Sequence, residues 1–338
     1  MPPTSSPPDH SFDPLVVVPC LNEAEHIAGL LEQLNVSVTR LGGRIVVVDG
    51  GSTDGTLDII ARYVATHPQI SLLHNPQRLQ SAGINMAVAQ DGGHATHLIR
   101  VDAHATYPDD FCDVLMQQAQ SVYADSIVVS MIAEGKRLVQ RINAATQNAS
   151  FGNGGASHRN RPSGAYVTHG HHALIKLDAF RAVGGYDPSF AHNEDAELDY
   201  RLRQAGSRIW LTNATQMTYH PRTSLTAVAR QYFNFGAGRA RNLLKHRVRP
   251  QLRQAKVIMV APAVLMIILV PLHWVFAGPA ILWAGYCLFS GLRMAFQQRD
   301  PLLSLCGAAA MIMHLAWSLG FWLKVLRTSN TTGQRVMP

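Results

Sequence analysis

Two acidic stretches follow apolar runs. In "VVVDGGSTDGT" (Val46–Thr56) three valines run into Asp49, and "THLIRVDAH" (Thr96–His104) ends its apolar run at Asp102. Carboxylates at strand ends suit hydrogen bonding to ribose-like hydroxyls, and two of them on one rim mark a site for a polar ligand. Asp54 in the first stretch reads as a turn residue capping the next helix. A further pair, Glu194 and Asp195 in "AHNEDAELDYRLRQAG", opens a helical pattern, where the helix dipole favours negative charge. "THGHHALIK" (Thr168–Lys176) concentrates histidines, with metal binding and a structural role both open. Arg78 in "NPQRLQSAG", and His158, Arg159 and Arg161 in "SFGNGGASHRNRPSG", lie in loops, and the arginines carry the charge to meet phosphates.

These residues need elements to position them. Leu15–Val18 reads as a short buried strand. Asn22 then reads as an N-cap with Glu25 completing a capping box, ahead of Ile27, Leu30, Leu31 and Leu34 at helical spacing. Arg44–Val48 is a strand, followed by a helix through Leu57, Ile60 and Ala61. Ile70–His74 is a strand, Gln80–Gln90 a helix and Thr96–His104 a strand. A helix from about Asp109 and a strand at Ile127–Ser130 continue the alternation. Strands alternating with helices at this spacing imply an α/β fold with a mainly parallel sheet, whose ligands sit beyond the carboxyl ends of the strands. Later, a turn at Gly184 precedes the acidic helix, and "RIWLT" and "QMTYH" read as two short strands. The Gly-x-Gly-x-x-Gly fingerprint is absent, which argues against a dehydrogenase.

The 338 residues are 47% hydrophobic, but unevenly so, and apolar runs dominate after Lys256. The net charge of +7 raises nucleic acid as a partner, yet the densest basic cluster, "KHRVRPQLRQAK" (Lys245–Lys256), lies directly before the first long apolar run. That placement marks the cytoplasmic side of a membrane helix, and no recognition motif supports nucleic acid. Val257–Ala277, Pro279–Phe296 and Leu302–Val325 are the apolar segments, giving two or three spans. Three spans would leave Lys324, Arg327 and Arg335 on the far side; two with a re-entrant segment would return the tail. Ser224–Lys245 is amphipathic, with Leu225, Val228, Tyr232 and Phe235 on one face. It reads as an interfacial helix, the alternative being an ordinary amphipathic helix packed on the domain. Cys20, Cys112, Cys287 and Cys306 lack metal or redox spacing and read as free thiols in a reducing compartment. The Pro/Ser-rich N-terminus has no apolar core, so it is no secretory signal and is expected to be disordered. The organisation is thus 1–14 disordered, 15–223 a soluble domain, 224–256 an interfacial helix with a basic juxtamembrane segment, 257–326 membrane segments, and 327–338 a tail.

"VVVPCLNEAEHIAGLL", "VVVDGGSTDGT", "IRVDAHATYPDDF" and "VGGYDPSFAHNEDAELDYRLRQAG" together resemble the ordered motifs of glycosyltransferase family 2, over Leu15 to Pro221. The "VDAH" form and the short membrane tail are most similar to exopolysaccharide glucosyltransferases of the succinoglycan type. The resemblance implies a GT-A nucleotide-sugar-binding fold and inverting chemistry. It places Asp49 on the uracil and ribose of a UDP-sugar, with Pro19, Asn22 and Glu23 lining the same pocket and Gly50 and Gly51 letting the backbone approach closely. Asp102 and His104 take the place of the family's Asp-x-Asp motif. Asp102 is then a ligand of Mg2+ or Mn2+ at the diphosphate, and His104 either a second ligand, a phosphate partner or a turn residue. His220 matches a third ligand position or is structural. The histidine-rich segment falls on an acceptor-side loop.

Asp195 matches the family's general base, which takes the acceptor's proton in a single displacement, and Glu194 beside it would orient the acceptor. The implied function is transfer of one sugar, glucose from UDP-glucose, to a lipid-diphosphate-linked saccharide in exopolysaccharide biosynthesis. It would proceed at the inner (plasma) membrane with the catalytic domain facing the cytoplasm. A processive synthase and a non-catalytic membrane-anchored nucleotide-binding scaffold are the alternatives. Processive relatives carry Gln-x-x-Arg-Trp on an interfacial helix; here "RQYFNFGAGRAR" (Arg230–Arg241) has Gln231 but no Arg-Trp pair.

Overall fold

The computed structural model describes residues 13–154 and 163–333, with side chains to residue 328. The expected disorder before residue 13, the loop bearing His158, Arg159 and Arg161, and the end of the tail lie outside the described residues. The chain divides into two compact units, Met1–Met131 with Arg161–Thr218, and Ile132–Asn160 with Tyr219–Pro338.

Eight strands are present among the described residues: β1 (Pro14–Cys20), β2 (Arg44–Asp49), β3 (Ile70–His74), β4 (His97–Arg100), β5 (Ser126–Ala133), β6 (Ala165–Tyr166), β7 (His171–Lys176) and β8 (Ile209–Tyr219). They form one sheet in the order β3-β2-β1-β4-β7-β5-β8-β6. β1, β2, β3 and β4 pair in parallel; β7 runs antiparallel to both β4 and β5. The helices of this stretch are α1 (Ile27–Arg40), α2 (Thr56–Thr66), α3 (Gln80–Asp91), α4 (Phe111–Ser121), α5 (Leu138–Asn148), α6 (Ser150–Asn153), α7 (Leu177–Ala182) and α8 (Glu194–Gln204). Strand side chains alternate between faces. Val16, Val18, Ile45 and Val47 pack with α1, α2 and α4 on one side. Leu15, Val17, Val46 and Val48 pack with α3, α7 and α8 on the other. With both faces covered, β1 and β2 are apolar runs rather than alternating patterns.

Three elements differ from the sequence reading. Helix α1 starts at Ile27 and its cap position is His26, so Asn22 is not its N-cap. Asn22 takes a left-handed backbone (φ 56°), which asparagine tolerates, and its side chain serves a neighbouring loop instead. The histidine-rich segment, expected as a loop, is strand β7 in the middle of the sheet. Its residues Ala173–Ile175 are fully buried. The two short strands "RIWLT" and "QMTYH" are one strand, β8, because the residues between them include no Gly or Pro to end it.

The second unit contains α9 (Leu225–His246), α10 (Leu252–Ile258), α11 (Val260–Leu265), α12 (Gly278–Gln298) and α13 (Cys306–Gly333). Three helical segments are long and apolar enough to cross a membrane: Leu252–Leu269, Trp274–Gln298 and Pro301–Thr328. The first is broken between α10 and α11. Pro262 has no N–H for the carbonyl of Ile258, four residues back. That carbonyl accepts instead from Ser318 Oγ at 2.7 Å and Trp322 Nε1 at 2.8 Å, both on α13. Helix α9 lies directly on α13. A Cβ on Gly236 would fall 1.9 Å from the Trp317 carbonyl oxygen, and one on Gly320 would fall 2.0 Å from that of Phe233. Helix α9 is thus packed on α13 along its Phe233–Gly236 side, while Leu225 and Leu244 stay exposed.

Candidate active site

Parallel β1, β2 and β4 bring their carboxyl ends to one rim of the first unit. Antiparallel β7 brings its amino end, His171, to the same rim. Helix α8 begins there too, entered through Asn193 in a left-handed conformation (φ 62°).

The loops after β1 and β2 are bound together. The Asn22 amide oxygen accepts from Thr53 N–H at 2.8 Å, and Asn22 N–H donates to Ser52 Oγ at 2.8 Å. Glu23 N–H donates to Thr56 Oγ1 at 2.9 Å. Asp54 accepts from the first N–H of α2, that of Thr56, at 3.1 Å, so it serves the helix start as expected, and it also accepts from Ala24 N–H. Asp49 sits at the end of β2, but it is fully buried and turned onto its own loop. One oxygen accepts from Gly51 N–H (2.6 Å) and Ser52 N–H (3.0 Å), the other from Ser52 Oγ (2.5 Å). Pro19 is half-buried beside it, paired with Val48. The exposed Arg78 guanidinium lies against Gly51: a Cβ there would come within 3.4 Å of it.

Asp102 and Asp195 are brought together from distant parts of the chain. Arg100, 5% exposed, joins them: Nε lies 3.3 Å from Asp102 Oδ1 and Nη1 lies 2.6 Å from Asp195 Oδ1. Its Nη2 is 3.8 Å from Glu194 Oε1. Tyr186 Oη donates to Asp195 Oδ1 at 2.9 Å, and Gln80 Nε2 donates to Asp102 Oδ1 at 2.7 Å. His171 faces the other oxygen of each acid, with Nε2 3.6 Å from Asp102 Oδ2 and Nδ1 3.7 Å from Asp195 Oδ2. Behind it the buried His172 sits 3.1 Å from Asp199, which also accepts from His169 at 2.6 Å.

Burial alone would neutralise these acids. For Asp102 burial is outweighed by the charges of Arg100, His171 and His104 and by the Gln80 hydrogen bond, which hold the carboxyl well below the usual range. Burial also opposes ionisation of Asp195, but Arg100, His172 and His171 again prevail, and its pKa is lowered. Glu194 goes the other way: burial and the adjacent Asp195 charge push it up to about 7, with Arg100 offsetting only part. Burial lowers His171, although Asp102 pulls against it. At neutral pH the cluster therefore contains two ionised aspartates, one guanidinium and a glutamate able to hold a proton.

His104, half-exposed, points Nδ1 at Glu23 Oε1, 3.1 Å away. His220 belongs to the second unit, where its Nδ1 lies 3.4 Å from the backbone carbonyl of Glu134. Among the described residues no three His, Cys, Asp or Glu side chains are grouped to hold a metal ion. Asp102 Oδ2 nevertheless takes no hydrogen bond from Gln80 or Arg100. A carboxylate oxygen with substrate phosphates and water is a donor set that suits Mg2+, which is bound through one or two carboxylates rather than an all-protein cage. Of the sequence-expected residues, Asp102, Glu194 and Asp195 thus gather around Arg100, and His104 pairs separately with Glu23. Arg100 was missed, and His171 was flagged only as part of the histidine-rich segment, without a role of its own. The available signal was a charged residue inside the apolar strand "HLIRV".

Residues 15–184 match the family described as "Glycosyl transferase family 2". The chain is 50% identical over 316 residues, 94% of its length and 96% of the relative's, to the succinoglycan biosynthesis protein ExoA of Rhizobium meliloti (strain 1021). It is 21% identical over 335 residues to the dolichyl N-acetyl-alpha-D-glucosaminyl phosphate 3-beta-D-2,3-diacetamido-2,3-dideoxy-beta-D-glucuronosyltransferase of Methanococcus voltae, covering 94% of this chain and 98% of that protein. Among solved structures it is similar to the mannosyltransferase PcManGT of Pyrobaculum calidifontis, in complex with GDP-Man and Mn2+. The TM-score is 0.57 at 19% identity, over 95% of this chain and 91% of that one. These findings bear out the resemblance drawn from the motifs.

Proposed function

The chain belongs to glycosyl transferase family 2, with a GT-A fold, and we propose that it moves a single glucose from UDP-glucose to a lipid-diphosphate-linked saccharide in exopolysaccharide biosynthesis. The observation that carries this reading is the Asp102–Arg100–Asp195 cluster, in which Arg100 reaches an acid 95 residues away. In this reading Asp102 would meet the donor's diphosphate through a divalent ion, beside Asp195 as the group that takes the acceptor's proton. The exopolysaccharide assignment draws on the 50% identity to the succinoglycan protein.

In the proposed reaction Asp195 Oδ2 takes the acceptor hydroxyl's proton as that oxygen bonds to the anomeric carbon. The bond from that carbon to the diphosphate breaks, UDP leaves, and the configuration inverts. Oδ1 stays engaged with Arg100 and Tyr186, which fixes the carboxylate's direction. Glu194 orients the acceptor. Pro19, Asn22 and Glu23 form the nucleotide end of the site, Asp49 contributes by holding the Gly51–Ser52 loop that borders it, and Arg78 beside Gly51 meets the diphosphate. A bound Mg2+ or Mn2+ would supply positive charge against the leaving diphosphate. Asp102 would hold it, with His104 as the further candidate ligand from the same loop.

The catalytic domain, 15–223, is proposed to face the cytoplasm at the plasma membrane. The support is the basic cluster Lys245–Lys256 ahead of the apolar segments. The direct test is turnover of detergent-purified enzyme against a panel of nucleotide sugars with lipid-diphosphate saccharides as acceptors. UDP-glucose is expected to be the best donor. Binding of UDP without turnover of any donor would favour the scaffold alternative instead.

A further inference from the structure

We propose that Arg100 is a positioning residue that sets the distance and orientation between the donor-side acid Asp102 and the acceptor-side acid Asp195, with His171 as the second strut; this rests on the general-base reading of Asp195. The geometry is reciprocal. Each aspartate gives one oxygen to Arg100 (3.3 and 2.6 Å) and turns the other toward a different nitrogen of the His171 ring (3.6 and 3.7 Å). Arg100 lies at the carboxyl end of β4, and His171 opens β7. Those strands are hydrogen-bonded neighbours, so the sheet fixes both struts. Asp195 instead lies at the start of α8, behind a left-handed Asn193; Arg100 is its tie to the strand ends, and Tyr186, from the segment before α8, holds the same oxygen.

The residue type matters. A guanidinium offers donors along two edges of a rigid plane and can bind two acids at once, whereas an ammonium is a single point of charge. A buried guanidinium is costly to desolvate unless paired, and the nearby acids supply that compensation. In a single displacement the acceptor oxygen must sit in line behind the donor's anomeric carbon. The base must therefore be fixed relative to whatever holds the diphosphate, and a misplacement on the order of 1 Å can cost roughly 100-fold in rate.

The test compares Arg100→Lys, Arg100→Ala and Asp195→Asn in purified full-length protein. Unfolding curves and UDP affinity are measured alongside kcat and donor KM. Arg100→Lys is expected to fold, to keep donor KM within about threefold and to lose ~10- to 100-fold in kcat. Arg100→Ala is expected to be weaker still and partly restored by added guanidinium ion, which cannot rescue Asp195→Asn. A kcat for Arg100→Lys and Arg100→Ala within about threefold of the parent would overturn the proposal. So would loss of cooperative unfolding in both, which would make Arg100 a stability residue. Asp195→Asn separates this inference from the reading beneath it. If it is inactive while Arg100→Lys behaves like the parent, the positioning role falls and the base role stands. If it is active, the base role falls and takes the positioning role with it.

Discussion

Glu194 and Asp195 are adjacent carboxyls displaced in opposite directions, because Arg100 reaches one at 2.6 Å and the other only at 3.8 Å. Such a split is how neighbouring acids acquire different tasks. It also gives stability a definite pH dependence. Glu194 is raised from 4.5 to about 7 by burial and the Asp195 charge. Between those values the folded chain binds more protons than the unfolded chain, so the contribution of Glu194 falls as pH rises. The parent's melting temperature, measured relative to Glu194→Gln, is expected to decline across that window and then level off; a flat difference would remove the shift. Asp195→Asn is expected to cost at least ~100-fold in kcat with donor binding nearly intact, and retention of a tenth of the activity would rule out the base role. Asp102→Ala is expected to abolish activity and the response to added divalent ion, while full parental activity in excess chelator would sink the metal reading. Asp49 and Asp102 were legible in the sequence because each sits where an apolar run stops, and Glu194 and Asp195 because they open a helical pattern. Arg100 was not, and His171 only as one of a histidine-rich segment: the Asp195 that each faces lies in a distant segment, and spacing along a chain carries no record of such contacts.

At the scale of elements, legibility followed local pattern. Strands β2 and β3 and helices α3 and α8 fell close to where periodicity put them. The misses share a cause, which is tertiary contact overriding a local signal. "NEAE" has the letters of a capping box, yet Asn22 bonds Thr53 across to the next loop, and α1 begins later. "THGHHALIK" looks like a polar loop, but His172 is buried with a carboxylate partner in Asp199, which makes a central strand tolerable. The break after Ile258 is legible only in part: Pro262 announces it, but the compensation by Ser318 and Trp322 comes from another helix. Between α9 and α13 the two glycines permit backbone-to-backbone approach, as small residues do where membrane helices meet. Gly320→Leu is therefore expected to destabilise the protein by roughly 1–3 kcal/mol, as overpacking does, read as an earlier unfolding transition in detergent. Ala308 stands elsewhere on the same helix, is exposed and supplies a control site; a Gly320→Leu transition no earlier than that of Ala308→Leu would show the crossing to be looser than described.

For the molecule as a whole, the question the two units raise is whether one sugar is added or many. A polymerising enzyme must hold its product while the next donor enters, and a polar chain crossing lipid needs a lining of protein, because each polar group left facing hydrocarbon is costly. Among the described residues three helical segments are apolar and long enough to cross. The first is interrupted at Pro262, and α13 is occupied along one side by α9. The helix where processive relatives carry Gln-x-x-Arg-Trp has its glutamine committed: Gln231 Nε2 donates to Tyr219 Oη at 2.8 Å. Asn234 and Phe235 stand where the Arg-Trp pair would fall. An acceptor built on a lipid diphosphate needs no such grip, since the membrane retains it between encounters. The expected outcome is thus a product one sugar longer than the acceptor, even with donor in large excess, observed by mass spectrometry of the extracted lipid-linked material. A ladder extended by two, three and more sugars would mean that the product stays bound between additions, and the synthase alternative would replace the single-transfer reading.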